Sequence, residues 1–202
     1  MKKRRQSLTK FQKDNLPLKV IGFDMDGVII DHTKPKIRLA KKRGFTLKTN
    51  QTPSEVMKKK VPAPHYQIIQ YYLNNHPKTA LNASIMAKAK VGLERLKKAK
   101  IPYFLISRRR TPEVAVKLLK IRGLWPAYFS NRNAVFVSDA TAKNLKAQEL
   151  GVTHYVDDET KVIAELTSVK NKFLFDQHKV FKKSGEYTRV RSWPELLDHL
   201  LS

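Results

Sequence analysis

The sequence predicts an α/β fold, a doubly wound parallel sheet with a small helical insertion, on three observations. Short apolar runs at 20–23, 103–106, 135–137, 154–156 and 172–175 read as buried strands. Stretches of helical period separate the later ones, at about 87–100, 114–121 and 140–150, with a further helix expected over 159–167. Most of these strands end on carboxylates or hydroxyls, and the carboxyl ends of its strands are where an open α/β sheet binds ligands.

The chain is organised around its first strand. Val20, Ile21, Gly22 and Phe23 lead into Asp24, Met25, Asp26 and Gly27. Residues two apart point to the same side of an extended chain, so Asp24 and Asp26 share a side. Two unpaired carboxylates are costly to bury among apolar side chains, which places them at the strand's end, facing water, a cation or a substrate. Gly27 then permits a sharp exit from the sheet.

Composition bounds the rest. The 202 residues, 41% of them hydrophobic, suffice for one well-buried core and a small insertion, not a second full domain. Lys and Arg number 41 against 17 Asp and Glu, a net charge of +24, and such a field attracts anions, nucleic acid among them. With no cysteine, disulfides, zinc thiolate sites and a thiol nucleophile are excluded, which fits an intracellular, cytoplasmic protein. Residues 1–15 read as a basic N-terminal arm. No apolar stretch after it suits a signal peptide, and no run approaches the roughly 18 apolar residues of a membrane span.

From 32 to 90 the pattern changes. Pro35, Pro53, Pro62, Pro64 and Pro77 punctuate a lysine-rich stretch with no clear alternating strand. Tyr66, Ile69, Gln70 and Leu73 fall at helical spacing and predict a helix over 65–74. Lys34, Lys36, Arg38, Lys41, Lys42 and Arg43 form a charge run that suits a solvated surface or an anionic substrate.

The strand at 103–106 stops at Ser107, just before a helix that starts near Pro112. A hydroxyl there is placed to bind a phosphoryl oxygen, and one of Arg108, Arg109 and Arg110 could face a phosphate. Ser138 or Asp139 can cap the helix at 140–150, whose first turn carries Lys143. A cation there opposes the helix dipole by about 0.3–1 kcal/mol, so Lys143 points to a nearby anion, with Lys146 as the competing choice. The strand at 154–156 runs into Asp157 and Asp158. Asp176 ends the next strand and reads as a turn acid, and Ser192 with Glu195 forms a capping box for the last helix. The six histidines are scattered without metal-ligand spacing, and none is assigned a role.

Phe-Asp-Met-Asp-Gly-Val-Ile-Ile-Asp at 23–31 resembles the first motif of the haloacid dehalogenase (HAD) superfamily, and Ser107, Lys143 and the pair Asp157 and Asp158 follow in the order of its second, third and fourth motifs. The resemblance covers residues 16–31 and 91–202 as core, with 32–90 as a helical cap, and extends to capped members such as the 5'-nucleotidase branch. It implies that Asp24 is the nucleophile and Asp26 the general acid and base. Ser107, Arg108 and Lys143 would bind the phosphoryl group. Mg²⁺ would be held at Asp24, Asp26 and Asp158, with Asp157 supporting or orienting it, through three carboxylate oxygens and a backbone carbonyl. The implied activity is hydrolysis of a phosphate monoester on a phosphorylated small molecule, a nucleotide or a nucleic-acid end. The alternative is a nucleic-acid-binding protein on the same scaffold without turnover. The bare Asp-Asp ending lacks the further aspartate found in part of the family.

Overall fold

The computed structural model describes residues 19–109 and 112–202, so the expected basic arm and Arg110 lie outside the described residues. β1 (Ile21–Phe23) is the central strand. Further along the chain come β2 (Ile30–Asp31), β3 (Ser84–Ile85), β4 (Tyr103–Arg108), β5 (Ala134–Val137), β6 (His154–Asp157), β7 (Asn171–Phe175) and β8 (Thr188–Val190). Six of them form one parallel sheet in the order β5-β4-β1-β6-β7-β8. The order reverses direction at β1, so β4 and β6 flank it, and their carboxyl ends open beside its own. The doubly wound α/β fold expected from the sequence is the one observed.

Helices cover both faces. On one side α5 (Ala89–Lys98), α6 (Glu113–Ile121) and α9 (Trp193–Leu200) pack Leu93, Leu96, Leu118, Leu119, Leu196 and Leu200 against Phe23, Leu105 and Phe173. On the other, α7 (Ala140–Glu149) and α8 (Thr160–Glu165) bury Ala147 and Val162 against Ile106 and Tyr155. Each fully buried side chain of this size contributes about 1.5–3 kcal/mol. Trp193 joins the helical layer to the turn after β1: its indole N–H donates to Val28 O at 2.9 Å. A Cβ on Gly92 would lie 2.2 Å from the Trp193 ring, so this contact requires glycine on α5.

The turn after β1 is tight. Ile29 N and Ile30 N donate to Met25 O at 3.0 and 2.8 Å, Gly27 N donates to Ile30 O at 2.8 Å, and Gly27 takes φ +85°. The chain leaves through β2, which pairs antiparallel with the returning β3, Ile30 opposite Ile85 and Asp31 opposite Ser84. Between these two strands the insertion folds as α1 (Thr33–Lys41), a 3₁₀ turn (Thr49–Gln51), α2 (Ser54–Met57), α3 (Ala63–Asn75) and α4 (Pro77–Ala80). It has its own apolar cluster of Ala40, Leu47, Met57, Val61, Ile69 and Leu73. Ala83, Met86 and Ala89 already belong to the cluster under the sheet.

Several elements match their sequence signals closely. α3 spans the helix expected over 65–74, and Asp139 rather than Ser138 caps α7, accepting from Ala142 N at 2.8 Å. Ser192 accepts from Glu195 N in the expected capping box, while Glu195 accepts from Arg191 N. β8, only three residues long, and the two-residue β2 and β3 carry too little alternation to be legible. Among the described residues no helix is long and apolar enough to cross a membrane.

Candidate active site

The backbone fixes Asp24 first. Its N–H donates to Val156 O at 2.9 Å, which continues the β1 and β6 pairing one residue past the strand and sets Asp24 beside Asp157. Lys143 enters from the first turn of α7, wholly buried. Its Nζ donates to Asp24 Oδ1 at 2.8 Å and to Asp157 Oδ2 at 2.7 Å. Asp157 Oδ1 accepts from Glu159 N at 3.0 Å. Lys146, the competing lysine, is turned away and pairs with Glu149.

Asp158 completes an acidic group: ligand oxygens of Asp24, Asp157 and Asp158 all lie within 4.8 Å of one another. A Cβ on Gly27 would fall 2.2 Å from Asp158 Oδ2, so the glycine is required for this close approach as well as for its φ. One ammonium cannot neutralise three carboxylates. Burial, then Glu159 and Asp157, push the Asp158 carboxyl well above its usual range, and burial pushes Asp157 up to about 7 against the pull of Lys143. Burial disfavours the Lys143 charge, but Asp157 and Asp24 outweigh it and hold its pKa well above the ordinary value. A hard, oxygen-only donor set, two of its acids buried and Asp158 half-buried, with excess negative charge fits a divalent cation such as Mg²⁺.

The Asp26 side chain lies outside that group, which leaves its backbone carbonyl as the atom through which it could serve a cation. Both of its oxygens accept from Arg109 Nη2 at 2.8 Å, and Oδ1 also meets His32 Nε2 at 2.6 Å. Burial would raise the Asp26 pKa, but Arg109 and then His32 outweigh it and hold the carboxyl far below its usual range. Both oxygens are thus engaged by one nitrogen of a buried guanidinium, a charge-assisted contact. Arg109 is itself buried, and its Nη1 donates to Asn74 O at 3.0 Å, so one side chain joins the end of β4, Asp26 and the last turn of α3.

Ser107 is buried at 1% exposure, and its Oγ has no hydrogen-bond partner. Among the described residues it has no acceptor, so it can donate to an oxygen in the cavity. Arg108 points to Glu159, donating from Nη2 at 2.8 Å. Asp176 is not at this site's mouth: it accepts from Val180 N and Phe181 N, the turn role read from the sequence.

Asp24, Asp26, Ser107, Arg108 and Asp158 line one cavity of about 260 Å³ at the carboxyl edge of the sheet, with His32, Ser138 and Glu159. The insertion closes it with Lys36, Ser54, Gln70, Leu73 and Asn74. Two residues that matter here were not singled out in the sequence. Arg109 could be found by its spacing of two from Ser107, the same spacing that pairs Asp24 with Asp26. His32 carries no such signal, because the tight turn and the two-residue ribbon bring it back to Asp26.

Fold and site together define an α/β protein with a helical insertion over an acidic cavity. No protein-family model matches the sequence, and no curated protein matches it. Solved structures do. The HAD hydrolase of family IA, variant 3, from Entamoeba histolytica HM-1:IMSS superposes with a TM-score of 0.58 at 15% identity, over 92% of this chain and 100% of that one. The L-2-haloacid dehalogenase RSc1362 gives 0.62 at 13% identity, over 91% and 99%. A HAD family hydrolase from Deinococcus radiodurans R1, solved with bound phosphate and sodium, gives 0.57 at 16% identity, over 90% and 94%. The fold is therefore that of the HAD-superfamily hydrolases.

Proposed function

We propose that this protein hydrolyses phosphate monoesters in an Mg²⁺-dependent reaction through an aspartyl-phosphate intermediate. The observation that carries this reading is the division of labour between two aspartates two residues apart. Asp24 sits with Lys143 in the cation-ready cluster, while Asp26 is held apart from it by Arg109 and His32, over the same cavity.

In this reading Lys143 orients the Asp24 carboxylate through Oδ1. Asp24 attacks phosphorus, the bond from phosphorus to the leaving oxygen breaks, and that oxygen takes a proton through Asp26. Arg109 and His32 hold Asp26 ionised at rest, so it first picks up that proton from solvent or across its 2.6 Å contact with His32. Water then attacks the aspartyl phosphate, gives its proton to Asp26, and releases inorganic phosphate and free Asp24. Ser107 Oγ donates to a phosphoryl oxygen, and Arg108 at the cavity wall adds a charge-assisted donor. Asp24 and Asp158, with Asp157 supporting, would hold Mg²⁺, which supplies charge neutralisation at the phosphoryl oxygens.

The L-2-haloacid dehalogenase shares the fold, so the fold alone does not choose the chemistry. A halide leaves without a proton and needs no cation, whereas a phosphate ester needs both a proton for its alkoxide and compensation for its charge. The described residues lining the cavity include no Phe, Tyr or Trp, and the one ring, His32, is engaged by Asp26. Lys36, Ser54, Gln70 and Asn74 present polar atoms instead, and Gln70 Nε2 is buried without a partner. That lining favours a small leaving group rich in oxygen, a phosphorylated sugar or hydroxy acid, over a nucleoside.

The test is phosphate release from p-nitrophenyl phosphate and from a panel of sugar, hydroxy-acid and nucleoside monophosphates, with Mg²⁺ and with EDTA. Mg²⁺-dependent turnover that disappears in Asp24→Asn, with sugar or acid phosphates preferred, supports the proposal. Turnover unaffected by Asp24→Asn overturns it.

A further inference from the structure

A second cleft lies on the opposite side of the α1 and α3 helices from the catalytic cavity. Lys36 on α1 and Gln70, Leu73 and Asn74 on α3 face the catalytic cavity. Arg38, Leu39, Lys42 and Arg43, on α1 and just after it, face the cleft, with Ile68, Ile69, Tyr72 and His76 from α3 and its end. Lys78, Thr79 and Asn82 close the cleft beyond α4's start, and its volume is about 410 Å³. Among the described residues, no acidic side chain lines it.

Three observations converge on an anionic, ring-bearing ligand. First, Arg38, Lys42, Arg43 and Lys78 are exposed at the cleft, with no compensating acid in its wall. The stretch 32–90 carries thirteen lysines and arginines against one acid, which is half of the chain's net charge on under a third of its residues. That acid, Glu55, is turned toward the sheet, where it accepts from Thr160 Oγ1 at 2.9 Å and Lys161 N at 3.3 Å. Second, Tyr71, Tyr72 and His76 form a run of rings, 5.9 Å and then 5.0 Å between centroids, and Tyr71 is 61% exposed. Third, His76 Nδ1 is buried without a hydrogen-bond partner.

We infer that this cleft binds a strand of single-stranded nucleic acid, with bases stacked on the tyrosine and histidine rings and phosphates on Arg38, Lys42, Arg43 and Lys78. Rings alternating with cations, over an apolar floor of Leu39, Ile68 and Ile69, are what a sequence-tolerant single-strand site needs. The excess charge extends past the cleft along the insertion at Lys41, Lys48 and Lys58 to Lys60, which favours a chain over a single nucleotide. The site is separate from the catalytic cavity, so this inference stands or falls apart from the phosphatase reading.

The test is fluorescence anisotropy on the full chain with a labelled, unphosphorylated oligothymidylate of about 12 nucleotides, from about 50 to 200 mM salt. Binding should weaken steeply with salt. The double variant Arg38→Glu with Lys42→Glu should lose at least about ten-fold in affinity. Tyr72→Ala should lose about five-fold or more with the salt slope unchanged. A charge-matched control, Lys170→Glu with Lys183→Glu on the exposed face of the core, should lose less than about three-fold, and Asp24→Asn should bind like the parent. Thermal midpoints of all variants establish that each is folded. Equal losses in the cleft and control variants would show a diffuse field and overturn the inference. So would competition by ATP at the same molar concentration as the oligonucleotide, preference for duplex, or displacement by anionic vesicles with Tyr72→Ala unaffected.

Discussion

The carboxyl edge of the sheet and the helical insertion face each other across one cavity, and they are built in opposite ways. The edge is acidic, buried and fixed by strand register: Asp24, Asp157 and Lys143 are each held by partners from a different element at 2.7–2.9 Å. The insertion is basic, carries most of its charge on the outside, and rests on a cluster of six buried apolar residues. The difference teaches where chemistry and selectivity reside. In the proposed reading, the reacting groups stand on elements that cannot shift without breaking the sheet, and the groups that face a leaving group stand on a smaller, separately packed body. Arg109 is the exception that joins the two, since it holds Asp26 on one side and Asn74 O on the other.

Substitutions at the edge should produce the largest effects. Asp24→Asn is nearly isosteric and should lower kcat by about 10⁴-fold or more while leaving the thermal midpoint within a few degrees, measured by phosphate release and calorimetry. Lys143→Met removes the one buried ammonium between Asp24 and Asp157 and should destabilise the fold by about 3–5 kcal/mol in urea titration; a loss under about 1 kcal/mol would show that the carboxylates relax without it. At the junction, Arg109→Gln should reduce kcat by about 10²-fold with an alkyl phosphate and much less with p-nitrophenyl phosphate, whose leaving group needs no proton. Equal losses on both substrates would separate Arg109 from the acid and base step.

A smaller effect distinguishes the two regions by pH. The Asp157 pKa is raised to about 7 in the fold from 3.8, so the stability it contributes is full below about pH 4 and is lost as pH rises through 7. Asp26 is depressed, so its contribution is present above its ordinary value and is lost only on stronger acidification. Mg²⁺ should therefore raise the thermal midpoint more at pH 8 than at pH 5, by the equivalent of about 2–3 kcal/mol at a hundred-fold excess over Kd, because the cation competes with the protons on Asp157 and Asp158. A shift independent of pH would disconnect the cation from this cluster. Within the insertion, Ile69→Val should cost only about 0.5–1.5 kcal/mol by urea titration and leave kcat on p-nitrophenyl phosphate within about two-fold.

How much of this was legible follows from what each element's signal depends on. β1, β4 and β6 are apolar runs that end in polar groups, so both their existence and the exposure of Asp24, Ser107 and Asp158 at one edge could be read from local order. Lys143 could be read because a cation in the first turn of a helix is out of place unless an anion is near. For Asp26 the partners were not readable from local order: Arg109, 83 residues away, and His32 take its carboxylate oxygens only because the fold brings them there.

The sequence alone determined the alternation of strands and helices, the edge where polar groups gather and the identity of the acids there, because periodicity, capping and strand ends are encoded within a few residues. Only the tertiary structure decided which carboxylates cluster, that Arg109 and His32 take Asp26, and that Tyr72, His76 and four cations meet in one cleft. Those choices depend on distances between residues far apart in the chain, and a contact is set by how sheet and insertion pack, not by the spacing of letters.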